Sequence, residues 1–212
     1  MATDPNDSVR MEYDVLAARY DRIWARYIRA SVRETLKRLS LRTGDQLLDV
    51  GCGTGAFLAE LLSHRDDIGV AGVAGVDLSD QMLARARGKL GSSVDLRRGN
   101  AEDLPHADGS FHMVTSISMF HYLRDPLEAL REAHRVLRPG GRILITDWCH
   151  DYLGCRCLDI FLRVFNRAHY HTYGVEELES FMKQAGFEDI QIESYKIDFL
   201  WGMMTASGSK PG

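Results

Sequence analysis

The chain has 212 residues, 45% hydrophobic and 26% charged, a mixture that excludes a disordered or fibrous chain and predicts one folded domain. Its 26 Lys and Arg stand against 30 Asp and Glu, a net charge of −4, so there is no general attraction for nucleic acid or anionic lipid. No apolar run approaches the roughly 20 residues of a membrane span, there is no apolar leader core, and four scattered cysteines suit reduced thiols, so the expected setting is the cytoplasm.

In chain order, residues 9–39 carry Leu16, Tyr20, Ile23, Tyr27 and Ile28 at three- and four-residue steps and predict amphipathic helix in two pieces. Thr43-Gly44-Asp45 breaks the pattern, and Gln46–Val50 reads as a buried strand ending in a glycine turn. Helix is predicted at Ala56–Ser63, strand at 70–77, helix at Asp80–Leu90 with Ser79 or Asp80 as N-cap, and strands at 94–98 and 112–117. A helix over 126–137 opens on a proline, and a strand follows at 141–147. Strands and helices alternating without hairpin signals mean parallel strands joined by helical crossovers, a doubly wound α/β fold. After a helix at 175–185, the short joint between strands at 189–197 and 200–207 permits only an antiparallel pair, so the last strand is expected reversed. Residues 148–173, with three cysteines, three histidines and several aromatics, fit neither pattern and are expected to form a lid.

Asp49-Val50-Gly51-Cys52-Gly53-Thr54-Gly55-Ala56 carries the most chemistry. Glycines between a strand and a helix let the backbone turn sharply and bring unpaired amides close to a ligand. Gly51, Gly53 and Ala56 fit a dinucleotide fingerprint, and Asp77 stands near the spacing of a ribose-binding acid. Asp49 would repel a pyrophosphate and suits an ammonium instead, so the expected ligand joins adenosine to a cationic amino-acid group.

The stretches "LLDVGCGTGAFL", "GVDLSDQMLARAR", "GNAEDLP", "FHMVTSISMFHYL" and "EAHRVLRPGGRILITD" resemble the class I S-adenosylmethionine-dependent methyltransferases, specifically the small ubiquinone/menaquinone C-methyltransferase-like, type 11 members. The resemblance covers most of residues 46–147. It implies a Rossmann-like sheet of seven strands, S-adenosyl-L-methionine as cofactor, and methyl transfer to a small-molecule acceptor by a monomer or homodimer, without nucleic acid or membrane. The expected layout is one domain over 1–212: N-terminal helices at 9–39, cofactor-binding core at 46–147, lid at 148–173, C-terminal helix and strand pair at 174–212.

By the same resemblance Gly51, Gly53 and Gly55 lie under the methionine part and Asp49 near its ammonium. Asp77 takes the ribose hydroxyls, Leu78 and Met82 face the adenine, and Asn100, Ala101 and Glu102 meet its edge. Ser116 and Ile117 pass beside the methionine part, and Tyr20 belongs to a "YD" element lidding the cofactor. His112 stands where the family usually has Asp, which puts a loop contact in doubt.

Cys149, His150, Cys155, Cys157, His169 and His171 invite a metal reading, but C-x5-C-x-C is not a zinc spacing. Leu153, Cys157, Phe161 and Val164 make one helical stripe and Cys155, Leu158, Leu162 and Phe165 its neighbour, so both cysteines are expected to pack and no metal is expected. A sulfonium methyl is already activated, so positioning carries most of the rate and a base is needed only for a proton-bearing acceptor. His121 is the expected base. Trp148, His150, Phe161 and His171 are expected to line the acceptor pocket, and Arg156, Arg163 and Arg167 read as solvated charges. The rival readings are a non-catalytic cofactor-binding subunit and an NAD-dependent oxidoreductase.

Overall fold

The computed structural model describes residues 5–64, 69–166, 169–198 and 201–212. Arg167 and Leu200, and the side chains of Val164 and Phe165, lie outside the described residues.

The centre is a seven-stranded sheet of β1 (Gln46–Val50), β2 (Gly72–Asp77), β3 (Asp95–Arg98), β4 (Phe111–Ile117), β5 (Leu137–Trp148), β6 (Glu188–Lys196) and β7 (Gly202–Ser209), in the order β3-β2-β1-β4-β5-β7-β6. The first five strands are parallel. β7 runs antiparallel to both β5 and β6, so the last strand is the reversed one, as its short joint requires, and it slots between the two rather than forming the edge. A parallel sheet covered on both faces needs near-continuous apolar strands, and Leu47, Leu48 and Ile145 are fully buried.

Helices α3 (Ala25–Arg38), α4 (Ala56–Ser63) and α5 (Asp80–Leu90) close one face through Val32, Phe57, Leu58, Leu61, Leu83 and Ala86. On the other face lie α6 (Pro126–Val136) and α8 (Val175–Gln184), with Leu130, Val136, Leu178 and Met182 inward. Ser79 caps α5 by accepting the Met82 N–H at 3.0 Å, and Asp125 caps α6 by accepting that of Glu128 at 3.0 Å. A buried hydroxyl chain pins α3 to the sheet, Thr35 to Thr146 and Thr146 to Thr205, both at 3.0 Å.

The N-terminal segment forms three helices rather than two: α1 (Pro5–Leu16), α2 (Tyr20–Ile23) and α3. The extra break falls at Trp24, whose backbone leaves the helical region at φ −100, ψ 13 while its indole packs on Tyr27 and Trp201. The lid contains α7 (Leu153–Phe165). His112 Nδ1 accepts the Gln46 N–H at the start of β1 at 3.0 Å.

Where the order turns from β1 toward β2 on one side and β4 on the other, the helical connections leave in opposite directions and open a crevice at the strands' C-terminal ends. The site lies there.

Candidate functional site

All three loop glycines adopt the left-handed backbone, φ +76 at Gly51, +52 at Gly53 and +73 at Gly55. At Gly51 a Cβ would also strike Met119 Cγ at 2.5 Å, whereas at Gly53 it would meet nothing within 4 Å, because that glycine faces the open cleft. Asp77, at the end of β2, binds the loop by accepting the Gly53 N–H at 2.8 Å and turns its other oxygen to the Ser79 N–H at 2.9 Å. Each oxygen keeps a lone pair for a ligand hydroxyl. Burial pushes this carboxyl up to about 6 against the pull of those amides.

The cleft is lined by Tyr20, Gly51, Gly53, Asp77, Leu78, Met82, Asn100, Ala101 and Ile117, which the sequence had nominated, together with Val9, Arg10, Tyr13, Ser118, Met119, Tyr122 and Leu123 among others. Asp49 opens onto a smaller adjoining hollow that shares Tyr20, Gly51, Gly53, Ile117 and Ser118 with the cleft. Its Oδ1 accepts the Thr115 hydroxyl at 2.8 Å, yet burial dominates and pushes its carboxyl up to about 7. A buried carboxyl in that state gains most from a cation.

Three nominated residues face elsewhere. Gly55 packs against α5, where a Cβ would meet Leu90 Cδ1 at 2.8 Å and Ala86 Cβ at 3.1 Å. Strand alternation turns Ser116 away from its neighbour Ile117, into an apolar hollow with Val114, Phe120 and Leu130. Glu102 sits behind the cleft wall, where its N–H donates to Asn100 Oδ1 at 3.2 Å and fixes that side chain.

The N-terminal helices roof the cleft through two Tyr-Asp doublets. Tyr13 and Tyr20 line it, while Asp14 accepts the Ser79 hydroxyl at 2.6 Å and Asp21 accepts that of Thr54 at 2.6 Å and pairs with Lys89 at 2.6 Å. Tyr13 stands 5.7 Å from Tyr20 and 5.4 Å from Tyr122, ring to ring. Burial pushes Tyr20 up to about 12 and raises Tyr13 and Tyr122 well above the usual phenol range, so all three act at neutral pH as hydroxyl donors rather than bases.

His121 follows β4 on a short turn, Phe120–Tyr122, and is buried. Its Nδ1 meets Asp147 Oδ1 at 2.6 Å, and the same carboxylate accepts the backbone N–H groups of Phe120 and Trp148, each at 2.6 Å. The imidazole stacks on Trp148 at 4.2 Å and 9°. Trp148 in turn donates its indole N–H to the Tyr27 hydroxyl at 2.7 Å, and that hydroxyl lies 2.5 Å from Ser118 Oγ. His121 does not line the cleft directly; Tyr122, packed 4.1 Å from its ring, stands at that wall.

The lid corrects several expectations. α7 turns Cys155, Leu158 and Leu162 inward, while Leu153 is 76% exposed and Phe161 55% exposed, with Cys157 beside them in solvent. Phe161 therefore does not cover a pocket, and only one of the two helix cysteines packs inside. The cause is the buried Asp159, whose carboxylate holds His169 and so fixes which face of α7 points in. His150 and His171 pack on each other at 5.8 Å; the His171 side chain is bonded to Arg163 and reaches Glu177 at 3.4 Å, while its backbone N–H donates to the His121 carbonyl at 3.1 Å. Among the described residues no group of three or more His, Cys, Asp or Glu could hold a metal ion, and no helix is long and apolar enough to cross a membrane.

Sequence reasoning missed Ser118, Arg10 and Tyr122. Ser118 adopts φ +55, which serine side chains rarely do and no local signal announces.

Residues 48–145 match the family described as "Methyltransferase domain". An O-methyltransferase of Penicillium expansum is 33% identical over 165 residues, which are 76% of this chain and 58% of that relative. A demethylmenaquinone methyltransferase of Alkalihalophilus pseudofirmus is 29% identical over 191 residues, 77% of this chain and 78% of its own. The fold is shared with the methyltransferase subunit of a Haloferax volcanii complex with the activator Trm112, at a TM-score of 0.82 and 22% identity over 95% of this chain and 98% of that one.

The doublets make a specific prediction about the roof. Replacing Asp14 and Asp21 together by Asn removes charge-assisted bonds that contribute about 1.5–3 kcal/mol each. Amide hydrogen exchange over residues 7–23 should then accelerate by about tenfold or more while α3 keeps its protection; unchanged exchange in α1 and α2 would show that the doublets do not hold the roof.

Proposed function

The chain belongs to the S-adenosylmethionine-dependent methyltransferases, and on that premise we propose that it methylates a small-molecule acceptor at a proton-bearing atom. The observation that carries the reading is the Asp147–His121 pair, at the end of β5 and on the turn after β4, next to a cleft whose glycine loop and Asp77 fit the cofactor.

In this reading Gly51, Gly53 and Gly55 let the backbone lie under the methionine part, with Asp49 as the counter-charge of its ammonium. Asp77 accepts from the ribose hydroxyls, and Leu78, Met82, Asn100 and Ala101 enclose the adenine. Ile117 and Tyr20 flank the methionine part. When bound, the cofactor supplies a methyl carbon that takes the acceptor's electron pair as the carbon–sulfur pair returns to sulfur. His121 receives the acceptor's proton at Nε2, and Asp147 stabilises the resulting imidazolium through Nδ1–H. Tyr13, Tyr20 and the rest of the roof exclude water from the sulfonium. The matches do not favour the oxidoreductase or non-catalytic readings.

Incubating the protein with methyl-labelled S-adenosylmethionine and a metabolite extract, then reading the products by mass spectrometry, should reveal a labelled small molecule. His121→Ala should lower its formation by roughly 100-fold or more while cofactor affinity stays nearly unchanged. Parallel loss of both would remove His121 from proton transfer.

Cofactor binding should also depend on pH. With Asp49 raised to about 7 and Asp77 to about 6, both are ionised, and binding is strongest, above pH 7. As pH falls through 7, binding the cationic cofactor must expel a proton from Asp49, so affinity drops toward about tenfold per pH unit. Asp49→Asn should weaken binding at high pH and flatten that dependence between pH 6 and 8; titration calorimetry decides it.

A further inference from the structure

The loop after α7 carries a second imidazole up to the first. His169 is 6% exposed and its Nε2 meets Asp159 Oδ1 at 2.8 Å; its ring lies 5.7 Å from that of His121, which is 2% exposed. Asp159 also accepts the Thr172 N–H at 2.8 Å and pairs with Arg163 at 3.0 Å, so, like Asp147, it is an acceptor from several sides. Burial alone would raise Asp159, but the bonds from His169 and Thr172 and the charge of Arg163 bring it below its ordinary value, while burial holds His169 neutral.

Each imidazole thus gives its N–H to a carboxylate and keeps one lone pair, at His121 Nε2 and at His169 Nδ1. Both atoms are buried without a hydrogen-bond partner, and among the described residues they are the one pair of such atoms whose rings touch. A histidine kept only for packing is normally satisfied at both nitrogens. Trp148 lies against both rings, at 4.2 and 5.9 Å, and Tyr122, at 4.1 and 6.4 Å, extends the group to the cofactor cleft.

We propose that His121 Nε2 and His169 Nδ1 together bind the methyl acceptor, a planar ring bearing two neighbouring hydroxyl groups. Two lone pairs ask for two donors, ring centroids 5.7 Å apart ask that both sit on one small molecule, and the neighbouring rings of Trp148 and Tyr122 favour a flat body. His121 takes the proton of the hydroxyl that is methylated, and His169 accepts from its neighbour, which keeps its proton and fixes the orientation of the ring. This rests on the methyltransferase reading above.

The test uses the full chain with nitrogen-labelled histidine, loaded with S-adenosylhomocysteine, and catechol and phenol as probes. Catechol should shift the His121 Nε2 and His169 Nδ1 resonances together, and phenol should leave His169 unmoved. With S-adenosylmethionine, catechol should be methylated faster than phenol. His169→Phe should raise the catechol KM about tenfold or more with kcat changed less than about threefold, and His169→Asn, whose amide oxygen takes the place of Nδ1, should recover most of that loss. An unshifted His169 with catechol, methylation no faster than that of phenol, or none of either, overturns the proposal. Should His169→Phe fail to fold, the wild-type titration decides alone. Cofactor affinity measured on the same sample separates the two ideas: binding intact with silent imidazoles sinks only the acceptor site, and no binding sinks the methyltransferase reading and this inference with it.

Discussion

The Asp77 carboxylate binds together three segments distant in sequence. It ends β2, accepts the Gly53 N–H of the loop after β1, and accepts the Ser79 N–H where α5 begins. Those bonds set the glycine loop against the sheet end, and the loop's backbone can follow only because its glycines take positive φ. Burying the carboxylate is costly enough to push it up to about 6, and the amides offset part of that cost. Each oxygen keeps a lone pair, so in the proposed reading the same group that organises the loop also receives the ribose hydroxyls.

The roof depends on this arrangement in turn. Asp14 holds Ser79, whose backbone is already bound to Asp77, and Asp21 holds Thr54 within the glycine loop. Each Tyr-Asp doublet therefore places an aromatic ring over the cleft with one residue and anchors it to the cleft's own frame with the next. Deeper in, Tyr27 touches Ser118 and Trp148, and Trp148 stacks on His121, so α3, the end of β4 and the end of β5 share one aromatic contact region. Shape on the cofactor side and on the lid side is thus set by a continuous set of contacts.

The β1 strand, its glycine loop and Asp77 were legible in the sequence because backbone geometry demands particular residues at a fixed spacing there. The sheet was legible through the alternation of apolar strands and amphipathic helices. The lid was not. Two apolar stripes on α7 look alike in sequence, and only the buried Asp159, bonded to His169 and the Thr172 N–H, decides that Cys155 faces in and Phe161 out. Ser116 and Ile117 were nominated together, but adjacent strand residues point to opposite faces. His169 was read among candidate metal ligands, since its link to Asp159 and its approach to His121 arise from tertiary packing alone.

Titration calorimetry at pH 8 with S-adenosylmethionine and with NAD, on the wild-type chain and on Asp77→Ala, tests the central claim most directly. The account predicts micromolar affinity for S-adenosylmethionine, on the order of −8 kcal/mol, at least about tenfold weaker binding in the variant because two hydroxyl bonds to the carboxylate are lost, and no measurable binding of NAD. Wild-type affinity in Asp77→Ala, or tight binding of NAD, would contradict it.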